Sequence, residues 1–225
     1  MARVLAINGS PRVDKGNTAL LLNSFLQGIT ESGGMVDLYY TSQLEIKPCS
    51  CGKLYCWNNN PGECCFKDDM ELLYPKLKAA DILVLATPVY IPLPGEMQDF
   101  INRLCPLLDP ILVERAGRTR ARLRDDVKIR KFVLVATSGW WEIENTDTVV
   151  RIVTELAEDA STEFAGALLR PHASEMRHQG TVTVDGQSVL DAAKQAGKEL
   201  MVQGRMHPET LQLVSRPLVS RDLYY

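Results

Sequence analysis

The sequence predicts an α/β fold, a parallel sheet with helices on both faces. Three observations predict it. Five short apolar segments alternate with five segments of helical period along 225 residues. Two of them, Asp81–Ala86 and Lys131–Ala136, are continuous apolar runs, as in strands buried on both faces. Turn residues follow the first strand at once, in Asn8-Gly9-Ser10-Pro11.

Strands are expected at 3–8, 34–40, 81–87, 131–137 and 164–169, and helices near 17–31, 69–79, 94–108, 146–160 and 187–203. The first helix follows from Leu20, Leu21, Phe25 and Ile29 at helical spacing. Asp68 and Asp69, just before the second, read as N-cap residues. Cys105 falls within the apolar pattern of the third and reads as a small core residue. The stretch from Arg115 to Lys131, rich in Arg and Lys and interrupted by Asp125 and Asp126, exceeds an ordinary connection. It reads as a solvated loop, with a charged rim for a phosphorylated ligand or a subunit contact as the sharper alternative.

This length fits one domain, expected over 1–225, with a cysteine-rich loop at 48–66, a basic insertion at 109–131 and a C-terminal extension at 204–225. An apolar share of 45% and a charged share of 24% are ordinary for a globular protein. The net charge of −3 argues against a nucleic-acid partner. No apolar run approaches the length of a membrane span, and no signal-peptide pattern opens the chain, so a cytoplasmic location is expected.

The loop after the first strand carries the chemistry. Small and hydroxyl residues, open backbone N–H groups and a helix N-terminus form an anion site, and Arg12 and Lys15 add positive charge. Gly9 has no second glycine two residues on, so the dinucleotide fingerprint is missing. Asn17 stands where a P-loop needs Lys, which argues against an NTPase. A phosphate on a mononucleotide remains the best ligand.

In a parallel sheet, ligands lie beyond the carboxyl ends of the strands. Two further loops should reach the same crevice: Thr87–Gly95, stiffened by prolines and apolar enough for a flat heterocycle, and Thr137–Glu142, with hydroxyls, N–H donors and two tryptophans. His172, His178 and His207 read as surface or packing residues away from these loops. The segment Arg216–Tyr225 could pack on a neighbouring subunit or on its own domain.

Asn8-Gly9-Ser10-Pro11-Arg12 with Gly16-Asn17-Thr18, the cysteine segment from Pro48 to Asp69, Thr87-Pro88-Val89-Tyr90 and Phe100-Ile101-Asn102-Arg103 resemble the flavodoxin-like NAD(P)H-dependent FMN reductases, closest to the iron–sulfur flavoprotein branch. The resemblance covers residues 1–141 and continues more vaguely to about 205. It implies a flavodoxin-like three-layer sandwich, a five-stranded parallel sheet in the order 2-1-3-4-5, non-covalent FMN and a homodimer or homotetramer. Carried over by position, it implies that Ser10, Arg12, Gly16, Asn17 and Thr18 hold the phosphate. Pro88, Val89, Tyr90 and Ile91 would line the ring, and Thr137, Ser138 and Gly139 its far edge. Gln98 and Asn102 stand where the family usually has Lys and Asp, which leaves their role at a subunit contact open.

The implied function is transfer of electrons from NAD(P)H through FMN to a second acceptor: a quinone, a flavin, a nitroaromatic or an iron centre. The flavin carries that chemistry, so no protein general acid or base is named. Backbone N–H groups near the pyrimidine edge would stabilise the reduced anionic ring. The basic 115–131 segment is the candidate for a 2′-phosphate contact; NADH and NADPH are otherwise not distinguished. Two rival readings are an iron–sulfur electron carrier and a non-redox nucleotide-binding module.

Five of six cysteines, Cys49, Cys51, Cys56, Cys64 and Cys65, crowd into 17 residues, which in a reducing compartment suggests metal or redox chemistry before disulfides. In the resembling branch the first three are separated by two residues each; here the gaps are one and four. A metal-free loop is favoured over an iron–sulfur cluster, and that over zinc; the ligand set stays open.

Overall fold

A computed structural model describes residues 1–225. Its sheet is built from β1 (Arg3–Asn8), β2 (Met35–Tyr40), β3 (Ile82–Pro88), β6 (Lys131–Thr137) and β7 (Glu163–Arg170). They pair in parallel in the order β2-β1-β3-β6-β7, the predicted 2-1-3-4-5 when only these five are counted. The structural class is therefore flavodoxin-like, with the switch in strand order between β1 and β3.

Side chains on a strand point to opposite faces in turn, and here both faces are buried. Val4 and Ala6 of β1 and Val84 of β3 join one core beneath α1 (Asn17–Glu31) and α6 (Val184–Gln203). Leu5, Ile7, Leu83 and Leu85 join the other, beneath α3 (Met70–Ala79), α4 (Gly95–Asn102) and α5 (Asp147–Asp159). The α1–α6 crossing depends on two glycines. A Cβ on Gly28 would lie 1.9 Å from the Lys194 carbonyl oxygen, and one on Gly197 2.2 Å from that of Phe25.

Three expectations need correction. The helix near 94–108 stops at Asn102, because Pro106 has no N–H to donate back and disfavours helical backbone before it. Cys105 therefore sits in a short 3₁₀ turn, outside the α-helix. The basic insertion is an antiparallel hairpin, β4 (Leu108–Arg115) and β5 (Arg118–Leu123), joined by Ala116–Gly117. Arg118 and Arg120, two residues apart, both reach the acidic face of α5: Arg120 pairs with Glu155 at 2.9 Å, Glu158 at 2.8 Å and Asp159 at 3.1 Å. Opposing strand charge with helix charge made a hairpin out of what reads as a solvated stretch.

The remaining elements are short: α2 (Tyr55–Asn58) in the cysteine segment, the two-residue strands β8 (Arg177–His178) and β9 (Thr181–Val182), and α7 (Pro208–Ser215) and α8 (Arg221–Tyr224) in the extension. No helix is long and apolar enough to cross a membrane.

Candidate functional site

A cleft of about 410 Å³ opens beyond the carboxyl ends of β1, β3 and β6, within the usual range for small-molecule sites. A groove of similar size beside Met35 and Lys76 borders the starts of β1 and β2, the wrong end of a parallel sheet for a cofactor. The cleft gathers eleven of the twelve sequence-derived candidates: Ser10, Arg12, Gly16, Asn17 and Thr18 from the first loop, Pro88, Val89 and Tyr90 from the second, and Thr137, Ser138 and Gly139 from the third. Ile91 does not line it and is 100% exposed.

At the first loop, Asn8 Oδ1 accepts from the Ser10 N–H at 2.9 Å, and Ser10 Oγ accepts from the Arg12 N–H at 3.3 Å. A Cβ on Gly16 would meet Ser10 Oγ at 2.9 Å, so this packing needs glycine there. The start of α1 carries no side-chain cap and no acidic residue in its first turn. The N–H groups of Asn17, Thr18 and Ala19 have no acceptor in the chain. Arg12 is exposed and neither it nor Lys15 enters an ion pair. Free donors, the positive end of a helix dipole and free cations together suit a dianion.

The loops brace one another. Thr18 Oγ1 and Thr137 Oγ1 share a buried hydrogen bond of 2.6 Å, joining the first loop to the third. The Val89 N–H donates to the Thr137 carbonyl at 2.8 Å, joining the second to the third. Pro88, Val89 and Tyr90 supply an apolar and aromatic wall beside these polar groups.

Three further residues line the cleft: Trp140, from the third loop already expected there, and Ala173 and Ser174, which were missed. The last two follow β7, and the rule that exposes loops at strand carboxyl ends applies to β7 as to its neighbours. The same neighbourhood corrects the placement of His172. It is buried against the third loop, its N–H donating to the Trp140 carbonyl at 2.6 Å and its ring stacked on Trp141. Since β7 pairs with β6, the segments leaving their ends must meet.

All six cysteines line a second, tight cavity of about 10 Å³, including Cys105, which reads in sequence as a separate core residue. The thiols are free. Burial raises the pKa of Cys49, aided by the nearby Cys51 thiol, whereas the Tyr55 backbone N–H lowers that of Cys51. The cavity has room for about one water, and no three His, Cys, Asp or Glu side chains stand as a metal-ligand set.

Asp68 and Arg103 anchor this segment. The Asp68 carboxylate takes the Arg103 guanidinium and the N–H groups of Lys47 and Met70. Burial acts against its charge, but these donors outweigh it and hold its pKa below the ordinary carboxylate value. The expected N-cap role is thus only part of the answer: Asp69 makes no cap bond and instead accepts from the Glu45 N–H at 2.7 Å. Gln98 donates to Asn102 at 3.3 Å on the outer face of α4.

Residues 2–140 match the family described as NADPH-dependent FMN reductase. The chain belongs to that family. Curated relatives of the chain include an iron–sulfur flavoprotein of Archaeoglobus fulgidus, 32% identical over 137 residues, 61% of this chain and 59% of that protein. Another, from Methanocaldococcus jannaschii, is 36% identical over 88 residues, 39% of this chain and 44% of that protein. The chain thus spans about half the length of the curated relatives it matches. Among solved structures, the chain shares its fold with the NAD(P)H:quinone oxidoreductase of Methanothermobacter marburgensis (TM-score 0.59, 14% identity, 88% of this chain and 96% of that one). It also shares it with an FMN-dependent NADH-azoreductase of Bacillus anthracis in complex with FMN (TM-score 0.56, 14% identity, 90% and 99%).

Proposed function

We propose that the chain is an FMN-dependent oxidoreductase that takes electrons from a reduced nicotinamide nucleotide and passes them to a second acceptor. The observation that carries this reading is the uncapped start of α1, with Arg12 unpaired, opening into the same cleft as the Pro88–Tyr90 wall. A mononucleotide with a terminal phosphate and a flat ring matches both ends. The family membership names FMN as that mononucleotide.

In this assignment the N–H groups of Asn17, Thr18 and Ala19 and the Arg12 guanidinium bind the phosphate. Gly16, by lacking a side chain, keeps Ser10 close to it. Pro88, Val89 and Tyr90 orient the ring, and the Gly139 N–H, which has no acceptor in the chain, is free for its polar edge. FMN, when bound, supplies hydride acceptance and onward electron transfer. The chain's own residues bind, orient and exclude water; none is needed as an acid or base.

The acceptor class is a quinone, a flavin, a nitroaromatic or an iron centre, and a homodimer or homotetramer is the expected assembly. Exposed Tyr90, Ile91 and Trp140 around the cleft mouth are consistent with a surface that a second subunit covers. Titration of purified protein with FMN, followed by flavin fluorescence, tests the reading. Stoichiometric uptake and subsequent oxidation of NADH or NADPH with a quinone support it; no uptake overturns it.

A further inference from the structure

The C-terminal extension lies beyond the family match, which ends at residue 140, and nothing in the proposed chemistry requires it. Yet it packs against its own domain at the edge of the cleft. We infer that residues 216–225 form a strap that positions the third cleft loop, and that Tyr224 is its contact with the ligand-facing backbone.

Every carbonyl from Ser138 to Trp141 is engaged. The Ser138 carbonyl accepts from the Ala173 N–H at 2.9 Å, that of Trp140 from the His172 N–H at 2.6 Å, and that of Trp141 from the His172 ring at 3.3 Å. The Gly139 carbonyl accepts from the Tyr224 hydroxyl and from no other group of the chain. Gly139 is exposed and has open space where a Cβ would be, so backbone bonds alone hold it. Its N–H is the donor assigned to the ligand, and the Tyr224 bond helps fix that donor's direction.

The strap is itself tied down from both sides. Trp141 Nε1 donates to the Val219 carbonyl at 3.2 Å, and the Leu218 N–H donates to His172 Nε2 at 3.1 Å. Arg170, fully buried and without a carboxylate partner, donates to the Val214 carbonyl at 2.8 Å and to His172 Nε2 at 2.8 Å. Arg221 pairs with Glu142, the last residue of the loop, at 3.0 Å. The rings of Trp141, His172, Tyr224 and Tyr225 contact in sequence. A segment with only packing duty has no need of a hydroxyl bonded to the one loop carbonyl that no other group engages.

The inference rests on the cleft being the FMN site, so its test carries a readout without flavin. In the full-length chain, Tyr224→Phe removes one hydroxyl and keeps the ring. Amide hydrogen exchange at Ser138 and Trp140, whose N–H groups donate to the Arg170 carbonyl and to Ser138 Oγ, should quicken by about fivefold in flavin-free protein, the worth of one hydrogen bond, with the global urea midpoint little changed. The FMN dissociation constant should rise by a similar factor. Unchanged exchange, or unchanged FMN affinity in the variant, overturns the strap. A wild-type chain that binds no FMN, but whose Tyr224→Phe variant still exchanges faster, sinks the FMN assignment and leaves the strap's hold on the loop in place.

Discussion

Arg103 and Asp68 form a bidentate ion pair, Nη1–Oδ2 at 2.6 Å and Nη2–Oδ1 at 3.0 Å, with both side chains 0% exposed. Arg103 also donates to the Lys47 carbonyl at 2.7 Å, lies 5.1 Å from the Phe66 ring centroid and borders the cysteine cavity. One guanidinium thus clamps residues before and after the cysteine segment to the end of α4. Removing one partner leaves the other charge buried. Arg103→Met and Asp68→Asn should each cost about 3–5 kcal/mol of stability in urea unfolding. The double variant should cost less than the two single losses added together, a coupling that a double-mutant cycle reads directly.

Arg12 is exposed and unpaired, so it stabilises no part of the fold. Arg12→Ala should weaken FMN binding by about tenfold, the size of a lost charge-assisted hydrogen bond, and leave the flavin-free unfolding midpoint unchanged. Fluorescence titration and urea denaturation of the same preparation separate the two. A variant that binds FMN as tightly as the parent chain removes Arg12 from the phosphate site.

The glycines of the α1–α6 crossing face carbonyl oxygens of the opposite helix, and a backbone group yields little. Gly28→Ala and Gly197→Ala should each destabilise by about 1–3 kcal/mol or more, against the helix-propensity gain alanine brings at exposed sites. Calorimetric melting checks the sign: a higher midpoint for either variant contradicts the close approach.

His172 accepts at Nε2 from both Arg170 and the Leu218 N–H, a state that requires the neutral ring. Burial is the main reason its pKa is lowered, and the Arg170 charge adds to it; the Trp141 carbonyl and Glu175 oppose. A histidine whose folded pKa is depressed contributes stability that is complete above its unfolded value of about 6.5 and is lost as pH falls toward the folded value. Wild-type stability should therefore drop between pH 7.5 and pH 5.5 by more than that of His172→Asn. Urea midpoints at the two pH values for both proteins give the comparison; equal drops exclude His172 as the source.

The hairpin arginines are committed to α5. Arg120→Gln should cost about 1 kcal/mol in urea unfolding, by loss of a partly buried ion network. It should leave the preference between NADH and NADPH unaltered. A shift in that preference, measured by steady-state oxidation of each nucleotide, would restore the basic segment as a 2′-phosphate contact.

Much of this molecule was legible along the chain. The central strands β1, β3 and β6 declare themselves because burial on both faces demands unbroken apolar runs such as Ile82–Ala86. The first loop is readable because its donors, its hydroxyls and the helix start are contiguous, so one stretch of sequence holds the whole proposed anion site. What the sequence alone could not determine are relationships that cross the sheet. The pairing of Asp68 with Arg103, the arrival of Cys105 among the other five cysteines, and the seating of Tyr224 on Gly139 join residues far apart in the chain. No local period signals such contacts; they exist only once strand order has brought the ends of separate segments together. The hairpin at 108–123 belongs with them, since its charges look solvated until α5 supplies their partners.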